Sequence, residues 1–548
     1  MNFSCVIGSG TKSPRTRSWV EGEHPVPIDF LPLLAPAALA AGGAASAAGS
    51  FLNRGCRPAR LPKIAEAAAL LACISAIVSS AGLVFAEPAV SPLIGIHGVG
   101  LSVRLDTVSA VMLLLVTFVG WVVLRYSGVY LDGEPRQGAF TGWLCLTLTS
   151  VLLLVAAGNL VQIVLAWIAT SLFLHRLLLF YPDRIAAQRA ARKKFITARI
   201  GDAALIAAAG LLVAAYGTAD IGVILGAART GGGGTLAAGA AGLLALAALL
   251  KSAQFPTHGW LTEVMETPTP VSALLHAGVI NAGGFLLIRF ADVMLLAPGV
   301  LAALVMIGGL TALFGSLVML TQPAVKNALA WSTVAQMGFM ILECGLALFP
   351  LALLHIVAHS LYKAHSFLAS GGAVERVAAI RRPGPVAIPR AGAVARAFAA
   401  ALAIYGVVGL CFGLAHKSPQ AIALGAILIF GVAYMLAQGF AEAAPRPLGR
   451  RTALYALATT AGYFALQTAA TSITAGVLPA TPAPGPLEWA LIVLAVISFG
   501  LVAIVQAMFP LWAYHPAAAG LRVHLSNGFY ANAAFDRLIG GWSIGAAP

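Results

Sequence analysis

The amino-acid sequence predicts an all-α membrane protein, a polytopic bundle of about 15 transmembrane helices, some of them discontinuous. The chain of 548 residues is 60% hydrophobic and only 9% charged, whereas soluble domains carry about 25% charged residues. Apolar runs of about 20 residues, long enough to cross a bilayer as a helix, recur along almost the whole chain. The alternating pattern that is typical of a membrane β-barrel is not found.

Each predicted helix is an apolar run between polar or proline-rich stretches. The runs cover residues 28–51, 64–86, 105–124, 138–157, 159–180, 195–216, 235–256, 268–290, 296–320, 327–348, 350–372, 394–415, 418–440, 453–475 and 486–510. The connections after the first, fifth, eleventh and thirteenth runs are basic; the second of them holds Arg184, Arg189, Arg192, Lys193 and Lys194. Positive residues are enriched in cytoplasmic loops. This pattern predicts an outside N-terminus and a cytoplasmic C-terminus.

The runs also divide the chain into regions. In order, these are a polar N-terminal extension (1–27), the first transmembrane helices (28–100), a translocating core (101–375), a basic cytoplasmic connection (376–396), C-terminal transmembrane helices (397–510) and a cytoplasmic C-terminal segment (511–548). The extension has no apolar stretch of the kind found in a cleaved signal peptide, so the first run is expected to direct insertion.

Composition excludes several classes of function. The net charge of +14 does not indicate nucleic-acid binding, because the basic residues lie in short loops and form no single basic face. The six cysteines are scattered, without a C-x-x-C pair, which argues against a zinc site or a disulfide framework. No motif for a dinucleotide, haem or iron–sulfur cluster is found. These absences argue against a cofactor bound by this chain, which we expect to take part in transport rather than to be an enzyme.

Lys251 is the first candidate functional residue. It lies inside an apolar run and is followed by Pro256. An ionisable group at membrane depth is costly and indicates function, and a proline unwinds the helix near it. Freed backbone groups in a membrane need protein or water partners, so such breaks line cavities. The alternative is a lysine that reaches the cytoplasmic interface from the end of a helix.

Histidines follow in two later runs. His276 lies in the apolar run after Pro268, where it is either a proton carrier or a packing residue. His355, His359 and Lys363 recur at a spacing of four, which places them on one face of a helix. This stripe predicts a proton relay. A metal site would need a further ligand that the local sequence does not offer, and a structural polar network stays open.

Two aspartates lie near or within apolar runs. Asp106 stands at the start of the third run, where a helix N-cap is the simplest interpretation. Asp202 lies inside the sixth run and could pair with Lys251 or with Arg199.

Three glutamates complete the set of candidates. Glu263 and Glu266 lie in the link between the Lys251 and His276 runs. They either gather cations at the inner mouth of a path or belong to a solvated loop. Glu343 lies near the outer end of the tenth run and is a candidate for the exit of the path.

Three blocks of sequence carry a family resemblance. Residues 250–277 (LKSAQFPTHGWL through PTPVSALLHA), 324–338 (AVKNALAWSTVAQMG) and 354–364 (LHIVAHSLYKA) resemble the signatures of antiporter-like subunits. That family includes the proton-pumping subunits of respiratory complex I and the Mrp cation/proton antiporters. The resemblance covers roughly residues 100–375. It implies the antiporter-like subunit fold, with Lys251 as the central proton-carrying lysine on a broken helix.

The same resemblance extends the path beyond Lys251. It implies that His276 links the lysine to the next half-channel and that Lys326, His355, His359 and Lys363 continue it. The sequence departs from the complex I pattern at Ile168, where those subunits usually carry a glutamate. His175 follows seven residues later on the same helix face. We expect that His175 partly replaces the missing acid, or that another subunit supplies the charge partner.

A second departure from the complex I pattern concerns the C-terminal half. No late intramembrane lysine follows residue 375, and His416-Lys417 stands at a helix end instead.

Residues 276–289 (HAGVINAGGFLLIR) and 522–530 (RVHLSNGFY) resemble more narrowly the membrane subunits of the DAB inorganic-carbon accumulation complexes. This resemblance implies a chain in a bacterial inner membrane with a soluble DabA-like partner on the cytoplasmic face. The partner would carry the zinc and hydrate CO2 to bicarbonate, driven by protons or Na+ moving through this chain.

Three other functions stay open at this point. One is a proton-pumping subunit of a complex I-like or hydrogenase-like redox complex. Another is a subunit of an Mrp-type cation/proton antiporter. The last is a structural scaffold without ion transport.

Overall fold

The computed structural model describes most of the chain, namely residues 27–52, 60–85, 87–96, 99–372, 390–439, 446–513 and 515–539. The predicted N-terminal extension therefore lies outside the described residues except for Pro27. The predicted basic connection at 376–396 also lies outside them up to residue 389.

The described residues form a helical bundle, which confirms the predicted all-α class. The long helices are α1 (Leu34–Leu52), α2 (Leu61–Phe85), α3 (Thr107–Tyr130), α4 (Gln137–Val155), α5 (Leu160–Leu178), α6 (Ile185–Tyr216), α8 (Gly234–Lys251), α13 (Pro298–Met319), α14 (Val325–Gly345), α15 (Phe349–Leu368), α16 (Ala391–Cys411), α17 (Pro419–Gly439), α18 (Arg446–Ile473) and α19 (Pro486–Ala507). The shorter ones are α7 (Ile221–Arg229), α9 (Gly259–Thr262), α10 (Thr269–Ala277), α11 (Ala282–Arg289), α12 (Ala291–Met294), α20 (Phe509–Trp512), α21 (Ala519–Ser526) and α22 (Ala531–Ile539).

Every predicted apolar run coincides with helix. Within the described parts of the chain, 11 helices are long and apolar enough to cross a membrane, with α10 and α11 counted as one span. The other predicted runs correspond to α14, α15, α17 and α18, which are also long helices. The chain is therefore a multi-pass membrane protein.

Two boundaries differ from the prediction for a physical reason. The helix expected from residue 195 begins at Ile185, so the basic run assigned to a connection forms the first turns of α6. Lys193 and Lys194 are buried there, because other elements pack over them. The helix expected to reach residue 256 ends at Lys251, five residues before Pro256.

Short β-hairpins join α2 to α3, where no strand was predicted. Strand β1 (Ala89–Val90) pairs with β4 (Arg104–Leu105), and β2 (Ile94–Ile96) pairs with β3 (Val99–Leu101), both antiparallel. These strands are two or three residues long, so they act as an ordered connection and leave the helical class unchanged.

Two interrupted helices meet inside the bundle. After α8 ends at Lys251, the chain leaves helical geometry until α9, and Ala253 adopts a positive φ of 49°. A second interruption at Gly278 (φ −123°, ψ −78°) separates α10 from α11. The Ser252 hydroxyl donates a hydrogen bond to the carbonyl of Ile280 (3.1 Å). The two breaks therefore contact each other directly.

The loops separate into two ends of the bundle. At one end, here called the basic end, Lys193 on α6 contacts Glu263 in the link after α9 (2.6 Å). At the opposite end, Arg229 contacts Asp292 (2.9 Å) and donates to the carbonyl of Val477. These contacts join connections that the predicted order of crossings places on the same side.

The pair of helices α13 and α14 packs at very short range. A Cβ atom at Gly338 would stand 2.7 Å from the carbonyl oxygen of Gly308, and one at Gly308 would stand 2.6 Å from that of Gly338. Small residues allow such close approach between transmembrane helices. The backbones of α13 and α14 thus touch where a side chain has no room.

The substitution Gly338→Ala is expected to lower the thermal unfolding temperature of the purified protein in detergent. The added methyl group meets backbone atoms, and overpacking of this kind costs about 1–3 kcal/mol. The matched control is Gly210→Ala on α6, where an added Cβ meets nothing within 4 Å and the melting temperature should not fall. Equal melting temperatures for the two variants would contradict the proposed contact.

Candidate functional site

Lys251 is enclosed by the protein at the end of α8. Its side chain is 9% exposed, and its Nζ lies 4.4 Å from the centre of the Trp167 ring. Such cation–π contacts stabilise a charged amine when water is excluded. The Nζ atom has no hydrogen-bond partner among the described residues. Lys251 therefore does not extend to the interface, which was the alternative interpretation.

An acid on α6 lies within electrostatic range of this lysine. Asp202 lies close enough to Lys251 for electrostatic attraction, and it also forms an ion pair with Arg199 (2.6 Å). Both partners suggested by the sequence are thus present, with Arg199 in direct contact. His175, in contrast, packs against Phe195 (ring centres 5.3 Å apart) and lies among cations. The described contacts of His175 do not include Lys251.

Lys194 also belongs to this site, although the sequence pattern did not indicate it. Its side chain is buried, and its Nζ donates to the carbonyl (2.6 Å) and the hydroxyl (2.8 Å) of Ser171. It lines a small cavity of about 20 Å³ together with Trp167 and Lys251, which has room for about one water molecule. Lys194 and Asp202 are eight residues apart, so they lie on one face of α6. The sequence indicates this shared face only if the helix is taken to begin at Ile185.

His276 lies on the other side of the paired breaks, on α10. It is fully buried, its Nδ1 is 3.1 Å from the Thr333 hydroxyl, and its ring stacks on Phe367. The ring of His359 donates from Nε2 to the backbone carbonyl of His276 (3.1 Å). The two histidines are therefore joined through the polypeptide backbone, while Nε2 of His276 has no partner in the described structure.

The predicted stripe on α15 occupies one face of that helix. His355 and His359 stand with ring centres 6.0 Å apart, and Lys363 is buried with its Nζ donating to the carbonyl of Leu329 (3.0 Å). His355 Nδ1 lies 2.8 Å from a carboxylate oxygen of Glu343 on α14. The stripe thus ends at an acid that the sequence had placed only as a separate exit candidate.

No three histidine, cysteine or carboxylate side chains of the described residues lie close enough together to hold a metal ion. His355 and Glu343 form a pair, and a pair suits proton exchange between an imidazole and a carboxylate.

Three further candidates lie towards the basic end. Lys326 donates to the hydroxyl of Thr269 (3.2 Å) at the start of α10. Glu263 is paired with buried Lys193, as described above, and Glu266 contacts Arg184 (3.1 Å) at the surface. The two glutamates are thus engaged in ion pairs, and their role at a mouth of the path stays a prediction.

Asp106 caps α3 as predicted and also anchors the core. Its carboxylate accepts from the Ser109 backbone N–H (2.9 Å) and contacts Arg289 (2.6 Å) and Arg104 (2.7 Å). Burial alone would raise the pKa of Asp106, but the charges of Arg289 and Arg104 and the hydrogen bonds hold this pKa well below its usual range. This ion cluster joins α3 to the end of α11.

The substitution Asp106→Asn is expected to destabilise the folded protein strongly, because it leaves buried Arg289 without its counter-charge. Loss of one partner of a buried pair costs about 3–5 kcal/mol. The matched control is Glu66→Gln, whose contact with Arg125 (3.7 Å) is exposed and contributes about 0–1 kcal/mol. Thermal unfolding in detergent and the yield of monodisperse protein measure both, and equal behaviour of the two variants would be inconsistent with the anchoring role.

The fold and the site together define an antiporter-like membrane subunit, with a buried lysine at a broken helix and a histidine stripe on a later one. A family model for "NADH:quinone oxidoreductase/Mrp antiporter, TM" matches residues 157–382. A second model, for the N-terminus of complex I chain 5, matches residues 94–141. These matches cover the described lysine, the histidines and Glu343.

Solved structures show the same fold. The Mrp complex of Dietzia sp. DQ12-45-1b matches 93% of this chain and 60% of its own, with a TM-score of 0.60 and 23% identity. An archaeal membrane-bound sulfane sulfur reductase matches 93% of this chain and 95% of its own, with a TM-score of 0.56 and 15% identity.

Curated relatives narrow the family. The "Probable inorganic carbon transporter subunit DabB2" of Halothiobacillus neapolitanus is 39% identical over 81% of this chain and 81% of its own length. A DabB of Hydrogenovibrio crunogenus is 49% identical over 56% of this chain and 60% of its own length. The chain therefore belongs to the DabB family of inorganic carbon transporter subunits.

Proposed function

We propose that this chain is the cation-translocating membrane subunit of a complex that accumulates inorganic carbon. Protons, or in their place Na+, move through it down their gradient. That movement energises the hydration of CO2 to bicarbonate by a carbonic-anhydrase-like partner. In this proposal the chain lies in a bacterial inner membrane, holds no cofactor and performs no covalent chemistry.

The observation that carries the proposal is the series of buried ionisable groups across the bundle. It runs from Lys251 through the two contacting helix breaks to His276. The backbone carbonyl of His276 accepts a hydrogen bond from His359. It continues through His355 to Glu343. Ionisable groups at membrane depth are retained where they line ion or proton pathways. A scaffold would not require this arrangement.

The basic end is assigned to the cytoplasm, following the enrichment of positive residues in cytoplasmic loops. Helix α22 packs at that end, close to the broken helix. Asp536 contacts Lys193 (2.6 Å), and Asn532 donates to the hydroxyl of Thr262 (3.3 Å). A partner bound to this end would therefore touch elements that are in contact with the Lys251 break.

The names of the relatives support inorganic carbon as the accumulated species. In this proposal a soluble DabA-like partner on the cytoplasmic face binds zinc and carries out the hydration chemistry. One elementary charge that crosses 100 mV supplies about 2.3 kcal/mol. That energy can bias a coupled equilibrium, and coupling requires two linked states of the complex rather than an open pore.

The substitution Lys251→Ala is expected to lower ion-driven uptake of labelled bicarbonate by about tenfold or more, a barrier increase of about 1.4 kcal/mol. It removes the ionisable group at the broken helix. Uptake is measured in cells that express the chain with its co-purifying partner, with and without a protonophore. Replacement of external Na+ separates the two candidate ions.

The control for this experiment is Lys63→Ala, which removes an exposed lysine and should leave uptake unchanged. A zinc protein should co-purify with both variants. Full uptake by Lys251→Ala, or co-purification of redox subunits in place of a zinc protein, would refute the proposal. Sodium/proton exchange without carbon uptake would instead indicate an Mrp-type antiporter.

The acid that serves Lys251 can be tested separately. Asp202 lies within electrostatic range of Lys251, whereas the described contacts of Lys251 do not include His175. The substitution Asp202→Asn should therefore reduce uptake severalfold. His175→Ala should leave uptake within twofold of the unsubstituted chain. The same uptake assay and a check of complex yield measure both variants. The reverse order of effects would show that His175 replaces the missing glutamate at Ile168.

A further inference from the structure

Helix α18 carries a polar stripe that the path described above does not use. Tyr463, Gln467 and Thr471 recur at a spacing of four, which places them on one face of the helix. α18 packs against α15, the helix that carries His355. In a membrane-spanning helix such a stripe is costly unless it faces a cavity or polar partners.

A large cavity lies at the end of this stripe opposite the basic end. It has a volume of about 770 Å³, and its lining includes His416, Lys417, Gln467 and Thr471. Its walls come from the α14–α15, α16–α17 and α18–α19 connections. In the predicted order of crossings, all three connections lie on the side opposite the basic end.

A second cavity lies at the other end of the stripe. It has a volume of about 540 Å³ and is lined by Glu343, His355, His359 and Tyr463. Leu351 lines both cavities, so the two spaces are neighbours. The stripe of α18 therefore leads from the opposite end of the bundle to the Glu343–His355 pair.

Two polar atoms of the stripe are buried between these spaces without a partner. They are the hydroxyl oxygen of Tyr463 and Oε1 of Gln467, and neither has a hydrogen-bond partner in the described part of the chain. The Gln467 side chain is 3% exposed. Buried polar groups are almost always hydrogen-bonded, by protein or by ordered water. Tyr463 lines one of the two cavities and Gln467 lines the other, and each cavity is large enough to hold water.

Tyr463, at one end of the stripe, lines the same cavity as Glu343 of the Glu343–His355 pair. Glu343 lies close enough to the phenol of Tyr463 to act on it electrostatically. A water chain held by Gln467 and Tyr463 would therefore end at a carboxylate. Glu343 would exchange its proton with His355, which lies 2.8 Å away.

We propose that Tyr463, Gln467 and Thr471 form a hydrated conduit that admits the translocated cation to the Glu343–His355 pair from the side opposite the basic end. Gln467 is the positioning residue, because its buried amide lies between the first cavity and Tyr463 and orders water there. The conduit deepens the proposed function and rests on it. The C-terminal half of the sequence has no late intramembrane lysine, and the conduit would perform the task of such a lysine there.

The first test is Gln467→Leu in the full-length chain purified with its partner and reconstituted in liposomes. Ion uptake under an imposed potential is followed with an internal pH-sensitive or Na+-sensitive dye. An apolar side chain of similar size should lower uptake about tenfold, the effect of a barrier higher by about 1.4 kcal/mol. Gln467→Glu, which still binds water, should retain uptake.

The matched control is Thr459→Val, which removes an exposed hydroxyl from the same helix and should leave uptake unchanged. Uptake by Gln467→Leu equal to that of the control would overturn the conduit. So would equal loss in Gln467→Leu and Gln467→Glu, because a packing role explains that outcome. Recovery of the complex by size exclusion confirms that each variant is assembled.

The second test measures access without relying on the substitution of Gln467. In a chain with its cysteines replaced by serine, Thr471→Cys should react with a membrane-impermeant thiosulfonate added to the side opposite the basic end. Reaction should lower uptake, and reagent on the other side should have no effect. Reaction from the basic side, or full uptake after complete labelling, would overturn the conduit.

These outcomes separate the conduit from the function on which it rests. If Lys251→Ala abolishes uptake while Gln467→Leu and labelled Thr471→Cys remain fully active, the proposed function stands and the conduit is wrong. If Lys251→Ala transports normally, the proposed function fails. In that case loss of uptake in Gln467→Leu together with one-sided labelling would still support the conduit, as the route to Glu343.

Discussion

The structure depends on one constraint, which is that backbone groups freed inside a membrane need partners supplied by the protein. Two interrupted helices meet this constraint by lying against each other inside the bundle. The contact between Ser252 and the carbonyl of Ile280 joins the interruptions. Lys251 ends the helix before the first of them, and His276 lies just before the second. Both ionisable groups are thus placed beside the same irregular stretch of backbone.

Most of the fold could be predicted from the sequence, because a helix in lipid must be apolar over the thickness of the bilayer. The prediction was wrong where charged side chains are buried by distant partners. The sequence predicts a loop at Lys193 and Lys194, but both residues lie in α6. Glu263 and Asp536 neutralise the charge of Lys193. The carbonyl of Ser171 accepts a hydrogen bond from Lys194. Periodicity within one helix cannot reveal such partners, since they come from other elements.

The candidate site was also predicted only in part, since contacts within one helix follow from the sequence and contacts between helices do not. The face shared by His355, His359 and Lys363 follows from a spacing of four and was predicted. The pairing of His355 with Glu343 was not, although α14 and α15 are joined by only a short link. A pairing between helices depends on how they rotate against each other, and the hydrophobic pattern of each helix leaves that rotation undetermined. The sequence did name Asp202 as a partner of Arg199 or Lys251, because Arg199 precedes it by three residues on α6 and Lys251 is the buried cation of a nearby run.

The absence of a glutamate at Ile168 gives this lysine an unusual neighbourhood. A carboxylate partner could both stabilise the Lys251 ammonium and accept its proton. The Trp167 ring does only the first, because an aromatic face attracts a cation but has no site for the proton. Asp202 is the acid within electrostatic reach, and Arg199 already engages it. In the proposed function, the proton of Lys251 would pass to Oδ1 of Asp202, which has no hydrogen-bond partner in the described structure, or to water in the small cavity beside Lys194. Stabilisation of the charge by Trp167 on α5 and acceptance of the proton by Asp202 or water would thus be separate tasks.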